Sequence, residues 1–312
     1  MERPLLKINF IDFWEDFDKA DNFFYNLLSQ RYDIVIDEDP EVIFYSCYGQ
    51  EYLRYKCTRI FYASENLRPD FKQCDYALSF DYLERENHLR LPLYHLYFEK
   101  HGYYNKLVKE LSREDARRIW AGKNKFCCML VSNPNSEERI KFFHSLNKKK
   151  QVDSGGRYLN NVGGPVLDKM EFIKDYRFVF AFENTVYPGY TTEKIVEPFA
   201  VHSIPIYNGN TQIEREFNPA SFINAAAYPD YESLAARVLE LDTDEEQAIE
   251  MLVQPKLAAG AAGHLEMTAA VDVFLQNIVC NLHKLPVAQN RWLLLKVKAG
   301  KLHQKIMNRI WK

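Results

Sequence analysis

Short apolar runs alternate with amphipathic stretches along the whole chain, a rhythm that predicts α/β layering around mostly parallel sheets. Leu5 to Phe10, Asp33 to Ile36, Val42 to Tyr45, Arg59 to Tyr62 and Ala77 to Phe80 are short, rich in β-branched and aromatic residues, and bounded by turn formers, so they read as strands of one sheet. A second series runs Lys125 to Val131, Phe178 to Phe182, Ser203 to Tyr207 and Ser221 to Asn224, with helical stretches between. The glycine-rich stretch from Lys148 to Pro165 reads as a connection between two units. With roughly 100 to 200 residues per domain, a chain of 312 residues fits two. The expected division is 1–150, 151–280 and a tail over 281–312.

In that tail Trp292, Leu295, Ala299, Leu302, Ile306 and Ile310 recur at the spacing of one helical face, with lysines between them. Charge sharpens the pattern: the net charge is −3, yet residues 281–312 carry eight Lys or Arg and no acid, which leaves the body at −11. A basic amphipathic helix suits an anionic lipid surface, and the same stripe also suits packing on the protein's own body. An acidic body repels phosphate backbones, so nucleic acid is not an expected partner.

Composition adds mainly exclusions. At 47% apolar and 27% charged residues the chain reads as folded and soluble. Its apolar start is broken by Lys7 and Asp12, too early for a signal-peptide core, and no window reaches the roughly 18 apolar residues of a membrane span. A cytosolic protein is expected. The six cysteines have neither CxxC spacing nor histidine partners, so they read as reduced packing residues, with no metal site and no disulfide framework. The acidic cluster Asp242, Asp244, Glu245 and Glu246 reads as a solvated face.

The chemistry concentrates between Phe178 and Tyr207. The all-apolar run Phe178 to Phe182 predicts a strand buried on both faces, and the loop after it opens at the strand's carboxyl end, where ligands bind in open α/β sheets. Thr191 or Thr192 can cap the following helix, whose first turn offers backbone N–H groups and Lys194. Pro198 is expected to kink or shorten that helix. A phosphate suits such a place, and so does a merely well-capped helix. Arg139 is predicted in the first turn of a second helix capped by Ser136, where a guanidinium could grip two phosphate oxygens; the alternative is an exposed arginine paired with Glu137 or Asp175. In the first half, Glu65 lies on a loop after a strand, placed either as a general base for an acceptor hydroxyl or as an ordinary solvated glutamate.

These residues resemble the α-1,3/1,4-fucosyltransferase family, above all its short bacterial members. The resemblance rests on Phe182-Glu183-Asn184, Gly189-Tyr190, Thr192-Glu193-Lys194, Ile204-Pro205-Ile206-Tyr207 and Phe217 to Asn224, together with Tyr62 to Asp70, Asp81 to Tyr94, and Val131 to Pro134 before Arg139. It implies a GT-B-type α/β fold of two Rossmann-like domains facing a cleft, and inverting transfer of L-fucose from GDP-fucose to O3 of a GlcNAc or glucose residue in a lactose-type or N-acetyllactosamine-type glycan. It further implies Glu65 as general base, Arg139 and Lys194 as the diphosphate grip, Asn184, Tyr190 and Glu193 at the donor, and Tyr62 and Asn66 on the acceptor side. No metal or other cofactor is expected, and the basic tail would dock a cytoplasmic enzyme on the inner membrane near lipid-linked glycans. One departure is Asn208, where relatives often carry tryptophan. Two other readings remain: a GT-B transferase using a different nucleotide sugar, and a non-catalytic glycan-binding protein.

Overall fold

The computed structural model describes residues 2–131 and 136–290. The stripe from Trp292 to Ile310, and with it the expected lipid-facing surface, lies outside the described residues, as does Ser132 to Asn135. Among the described residues the strands form two sheets, and every strand pairing within them is parallel. The chain divides into two units, Met1–Pro92 with the segment beginning at Leu265, and Leu93–His264.

The first unit is built on β1 (Leu5–Ile11), α1 (Phe23–Ser29), β2 (Asp33–Ile36), β3 (Val42–Tyr45), β4 (Thr58–Tyr62), β5 (Tyr76–Ser79) and β6 (His88–Arg90), in the sheet order β2-β1-β3-β4-β5-β6. Every residue of β3 and β4 is buried, as central strands covered on both faces require. Asn22 caps α1 by accepting from the N–H groups of Phe24 and Tyr25. The helix then lays Phe24 on Phe44 and Tyr62, with ring centroids 5.1 and 5.2 Å apart.

The second unit runs α2 (Leu93–His101), α3 (Tyr103–Leu107), α4 (Arg113–Gly122), β7 (Lys125–Met129), α5 (Glu137–Asn147), β8 (Asp153–Ser154), α6 (Lys169–Ile173), β9 (Tyr176–Phe182), α7 (Glu193–Ala200), β10 (Ile204–Asn208), β11 (Ile223–Asn224), α8 (Tyr231–Thr243) and α9 (Glu245–Val253). Its sheet order is β11-β10-β9-β7-β8. Alternation along β9 sends Phe178, Phe180 and Phe182 into one core layer, with Ala181 and Val179 turned to the other side. The last helix among the described residues, α10 (His264–Cys280), is assigned from Leu265 onward to the first unit, where Asp272 takes the Arg31 guanidinium at 2.8 Å.

Several sequence expectations change here. The division falls at Pro92 rather than near residue 150, because β7 pairs with β9 and carries its preceding helices into the second sheet's unit. The stretch 148–165 is no connection: it supplies β8 beside β7. Gly156 is needed there, since a Cβ would lie 1.9 Å from the Val131 carbonyl oxygen. The acidic cluster is not simply solvated. Asp242 accepts from Arg177 at 3.0 Å and pairs with Lys150, while Asp244 caps α9 through the Gln247 N–H. The cysteines are free, with Cys74, Cys127 and Cys128 buried, but Cys280 is exposed.

Candidate functional site

The site forms where β9 ends and α7 begins. Arg139 is the third residue of α5, and Phe142, one turn on, stacks on Phe180 and Phe182 with centroids 4.9 and 5.5 Å apart. That packing fixes α5 against the end of β9 and buries Arg139 to 5% exposure. The guanidinium donates to the Phe182 carbonyl at 2.5 Å and to Asn184 Oδ1 at 3.3 Å. It is neither exposed nor paired with Glu137 or Asp175. Burial pulls its pKa down, countered by Glu183 and Glu193, and a guanidinium stays charged regardless. Ser136 occupies the N-cap position of α5 without a side-chain capping bond.

Glu183, the first residue after β9, is the organising group; the sequence places it in the Phe182-Glu183-Asn184 motif without giving it a role. Its carboxylate, with no exposed side-chain surface, accepts the Thr192 N–H at 2.8 Å and the Thr192 hydroxyl at 2.7 Å, and faces Lys194 Nζ at 3.3 Å. The anion standing at the start of α7 is therefore Glu183 itself, which satisfies an N–H of the helix end. Thr192 sits at the N-cap but turns its hydroxyl to Glu183 instead of capping. Burial raises the pKa of Glu183, against the pull of Lys194. For Lys194 burial acts downward, but Glu183 and Glu193 outweigh it, so the ammonium is held above its ordinary value. Glu193 ends below the usual carboxylate range, because Lys194 and Lys169 more than reverse the effect of its burial.

The rest of the loop is locked from behind. Asn210 Oδ1 accepts the Gly189 N–H at 2.6 Å, and its amide donates to Thr191 Oγ1 at 3.0 Å and Glu216 Oε1 at 2.9 Å. Gly189 has φ of 81°, the left-handed region that favours glycine. Tyr190 beside it is buried, whereas Asn184 is exposed. The Asn208 carbonyl accepts the Glu183 N–H at 2.7 Å, a backbone role indifferent to its side chain. Helix α7 continues through Pro198 and ends two residues later.

Arg139 and Lys194 meet on one cavity of about 40 Å³, with Lys169 from α6 and Glu197 from α7 also lining it. Behind α7, Tyr97 of α2 carries a phenol whose pKa is raised by burial and then by Glu193 and Glu197. Among the described residues no three His, Cys, Asp or Glu side chains gather in a metal-holding group, and no described helix is long and apolar enough to cross a membrane.

The other three sequence candidates belong to the first unit. Glu65 is half-buried on the loop after β4 and accepts from the Tyr48 hydroxyl at 3.3 Å. Ser64 next to it bonds Ser46 Oγ at 2.7 Å, and Arg68 is tied to Asp81 at 2.5 Å, so the loop is anchored on both sides of Glu65. Asn66 is half-buried beside it. Tyr62 is 0% exposed, a core residue at the end of β4. As an acceptor contact it is corrected: its ring packs against Phe13 and Phe24.

Comparison with known proteins fits this arrangement. Residues 8–97 match the α-(1,3)-fucosyltransferase FucT N-terminal domain, and residues 120–252 match the C-terminal part of glycosyltransferase family 10, the fucosyltransferases. The α-(1,3)-fucosyltransferase FucT of Helicobacter pylori is 30% identical over 81% of this chain and 61% of its own length. The chain thus spans about three fifths of that relative. A human 4-galactosyl-N-acetylglucosaminide 3-α-L-fucosyltransferase is 33% identical over 38% of this chain and 34% of its own. Among solved structures, an α1,3-fucosyltransferase with GDP superposes with a TM-score of 0.75 at 27% identity, covering 93% of both chains, and one with GDP-fucose with a TM-score of 0.73 at 27% identity, covering 89% and 92%. The chain belongs to the α-1,3/1,4-fucosyltransferase family, glycosyltransferase family 10, and its fold is the GT-B type with two Rossmann-like domains.

Proposed function

We propose that this protein transfers L-fucose from GDP-β-L-fucose to O3 of a GlcNAc or glucose residue in a lactose-type or N-acetyllactosamine-type glycan, with inversion at the fucose anomeric carbon. The observation that carries the reading is the meeting of Arg139 and Lys194 on one cavity at the carboxyl end of β9. As the bond from the anomeric carbon to the diphosphate oxygen breaks, the electron pair leaves with GDP, and fixed cations stabilise that growing negative charge. The acceptor oxygen forms the new bond and gives its proton to Glu65. Asn184, Tyr190 and Glu193 are assigned to the donor and Asn66 to the acceptor side. The two cations do the work that a metal ion does elsewhere, so no metal is required in this proposal. We also assign the protein to the cytoplasmic face of the membrane, with its basic segment 281–312 on anionic lipid.

The test is to mix the purified chain with GDP-fucose and lactose or N-acetyllactosamine, with and without EDTA, and to follow released GDP and the linkage formed. An α-1,3-fucosylated product that survives EDTA supports donor, reaction and metal independence together. GDP-fucose binding without turnover moves the doubt to the acceptor, and absence of binding overturns the donor assignment.

A further inference from the structure

We propose that Lys169 is a third cation of the diphosphate site, held by Glu197 until the nucleotide arrives. The inference deepens the donor reading above and rests on it.

Lys169 opens α6, on the approach to β9, in a part of the chain without a recognisable phosphate motif. The fold nonetheless brings it to the same cavity as Arg139 and Lys194. The three cations are held differently. Arg139 is bonded to neutral acceptors, a backbone carbonyl and an amide. Lys194 is shared between two carboxylates, Glu183 at 3.3 Å and Glu193 at 3.4 Å. Lys169 pairs with Glu197, and while the Glu197 side chain is 8% exposed, Lys169 keeps 38% of its own surface in solvent. Glu197 follows Glu193 by four residues, so the two stand on one face of α7, and Glu197 lines the cavity. The field of Lys169 reaches Glu193 too, where it helps hold that carboxylate ionised.

Three acids, Glu183, Glu193 and Glu197, thus stand beside three cations. A diphosphate entering this place adds further negative charge next to Glu197. Lys169 is the cation best able to turn to it, because its stem is flexible and 38% of its side chain already lies in solvent, against 22% for Lys194. Glu197 is the acid that can most easily lose its partner: burial raises its pKa, and this tendency opposes the stabilising pull of Lys169. Exchange of Lys169 from Glu197 to a phosphate oxygen leaves Glu197 free to take up a proton. GDP binding would then be tighter at mildly acidic than at neutral pH; the charged or titratable groups facing Glu197 are Lys169, Glu193, Lys194, Tyr97 and Tyr103.

The experiment measures GDP and guanosine affinity by calorimetry for the wild type and for Lys169→Met, Lys169→Arg, Glu197→Gln and Arg139→Ala. Guanosine lacks the phosphates, so a merely structural role for Lys169 affects both ligands, and a phosphate contact affects GDP alone. The expected result is that Lys169→Met weakens GDP by about tenfold or more, the scale of one hydrogen bond to a charged group, leaves guanosine unchanged, and is rescued by Lys169→Arg. Glu197→Gln should bind GDP as tightly as the wild type or more so. Unchanged GDP affinity in Lys169→Met, with Arg139→Ala weakened, overturns the role of Lys169 while the donor site stands. Equal loss for GDP and guanosine in Lys169→Met or Glu197→Gln makes the pair a structural strut and also overturns it. If Arg139→Ala binds GDP normally as well, the diphosphate assignment fails as a whole.

Discussion

Glu183 grips Thr192 twice, through its N–H at 2.8 Å and its hydroxyl at 2.7 Å, and so ties the end of β9 to the start of α7. Lys194 and Arg139 are both placed by that tie. Lys194 follows Thr192 by two residues, and Arg139 donates to the carbonyl just before Glu183. The tie works only with its countercharge, since the Glu183 side chain is wholly buried and Lys194 is its cation at 3.3 Å.

Removing Lys194 therefore does more than remove a proposed phosphate ligand. Lys194→Met leaves a buried carboxylate unpaired and should destabilise the fold by about 3–5 kcal/mol. Glu183→Gln on top of it should recover part of that loss, because the amide no longer needs a cation. Denaturant unfolding of the two single variants and the double variant checks this. Additive losses would mean that the pair is not coupled.

Glu65 offers a cleaner separation of chemistry from binding. Glu65→Gln should lower kcat by about a hundredfold or more, the usual scale for a general base, with GDP affinity unchanged. Tyr48→Phe removes the 3.3 Å hydrogen bond from its hydroxyl to Glu65 and should lower kcat with GDP affinity again unchanged, since the carboxylate loses a donor that holds it in place. A fully active Glu65→Gln enzyme would end the assignment of the base.

Much of this was legible in the sequence. Phe178 to Phe182 declares a doubly buried strand by composition alone, and Lys194 and Arg139 fall in first helical turns as the spacing predicts. What stayed hidden depends on long-range burial. Glu183 stands in the Phe182-Glu183-Asn184 motif, but its role shows only once β10 and α7 close over it. Tyr62 reads as the end of a strand, but its burial against Phe24, 38 positions earlier, shows only in the fold. Strand β8, two residues long within a glycine-rich stretch, and β6, only three, have too little pattern to be read. Lys169 and Glu197 are 28 positions apart, and nothing in either neighbourhood announces the pair.

Gly209 tests the packing behind the site. A Cβ there would stand 2.4 Å from Glu183 Cγ and 2.7 Å from Tyr207 Oη. Gly209→Ala must therefore push Glu183 away from Thr192 or displace the buried tyrosine, which itself accepts the Asn210 N–H at 2.8 Å. We expect a loss of about 1–3 kcal/mol in stability, as for overpacked cores, with weaker GDP binding. Normal GDP affinity in a stable Gly209→Ala protein would show that the loop tolerates a shift of Glu183.

Lys123 predicts how stability depends on pH. Its ammonium is buried between the Lys174 carbonyl at 2.6 Å and Ser203 Oγ at 3.0 Å, and burial, only partly resisted by Asp175, lowers its pKa to about 8. In the unfolded chain a lysine keeps its proton to about pH 10.4. Between those two values the unfolded state binds more protons than the folded one, so stability rises with pH across this window and falls back as pH drops toward 8. Lys123→Met deletes that term, and it also leaves the Lys174 carbonyl without its ammonium donor, so the variant is less stable throughout by about 1–3 kcal/mol. Lys256, also lowered to about 8 by burial, keeps its own share of the slope in both proteins. The informative quantity is thus the difference: from about pH 7 to about pH 10 the wild type should gain about 2–3 kcal/mol relative to Lys123→Met. Denaturant unfolding at the two pH values measures it, and parallel stability profiles would show that Lys123 titrates in the folded protein as it does in water.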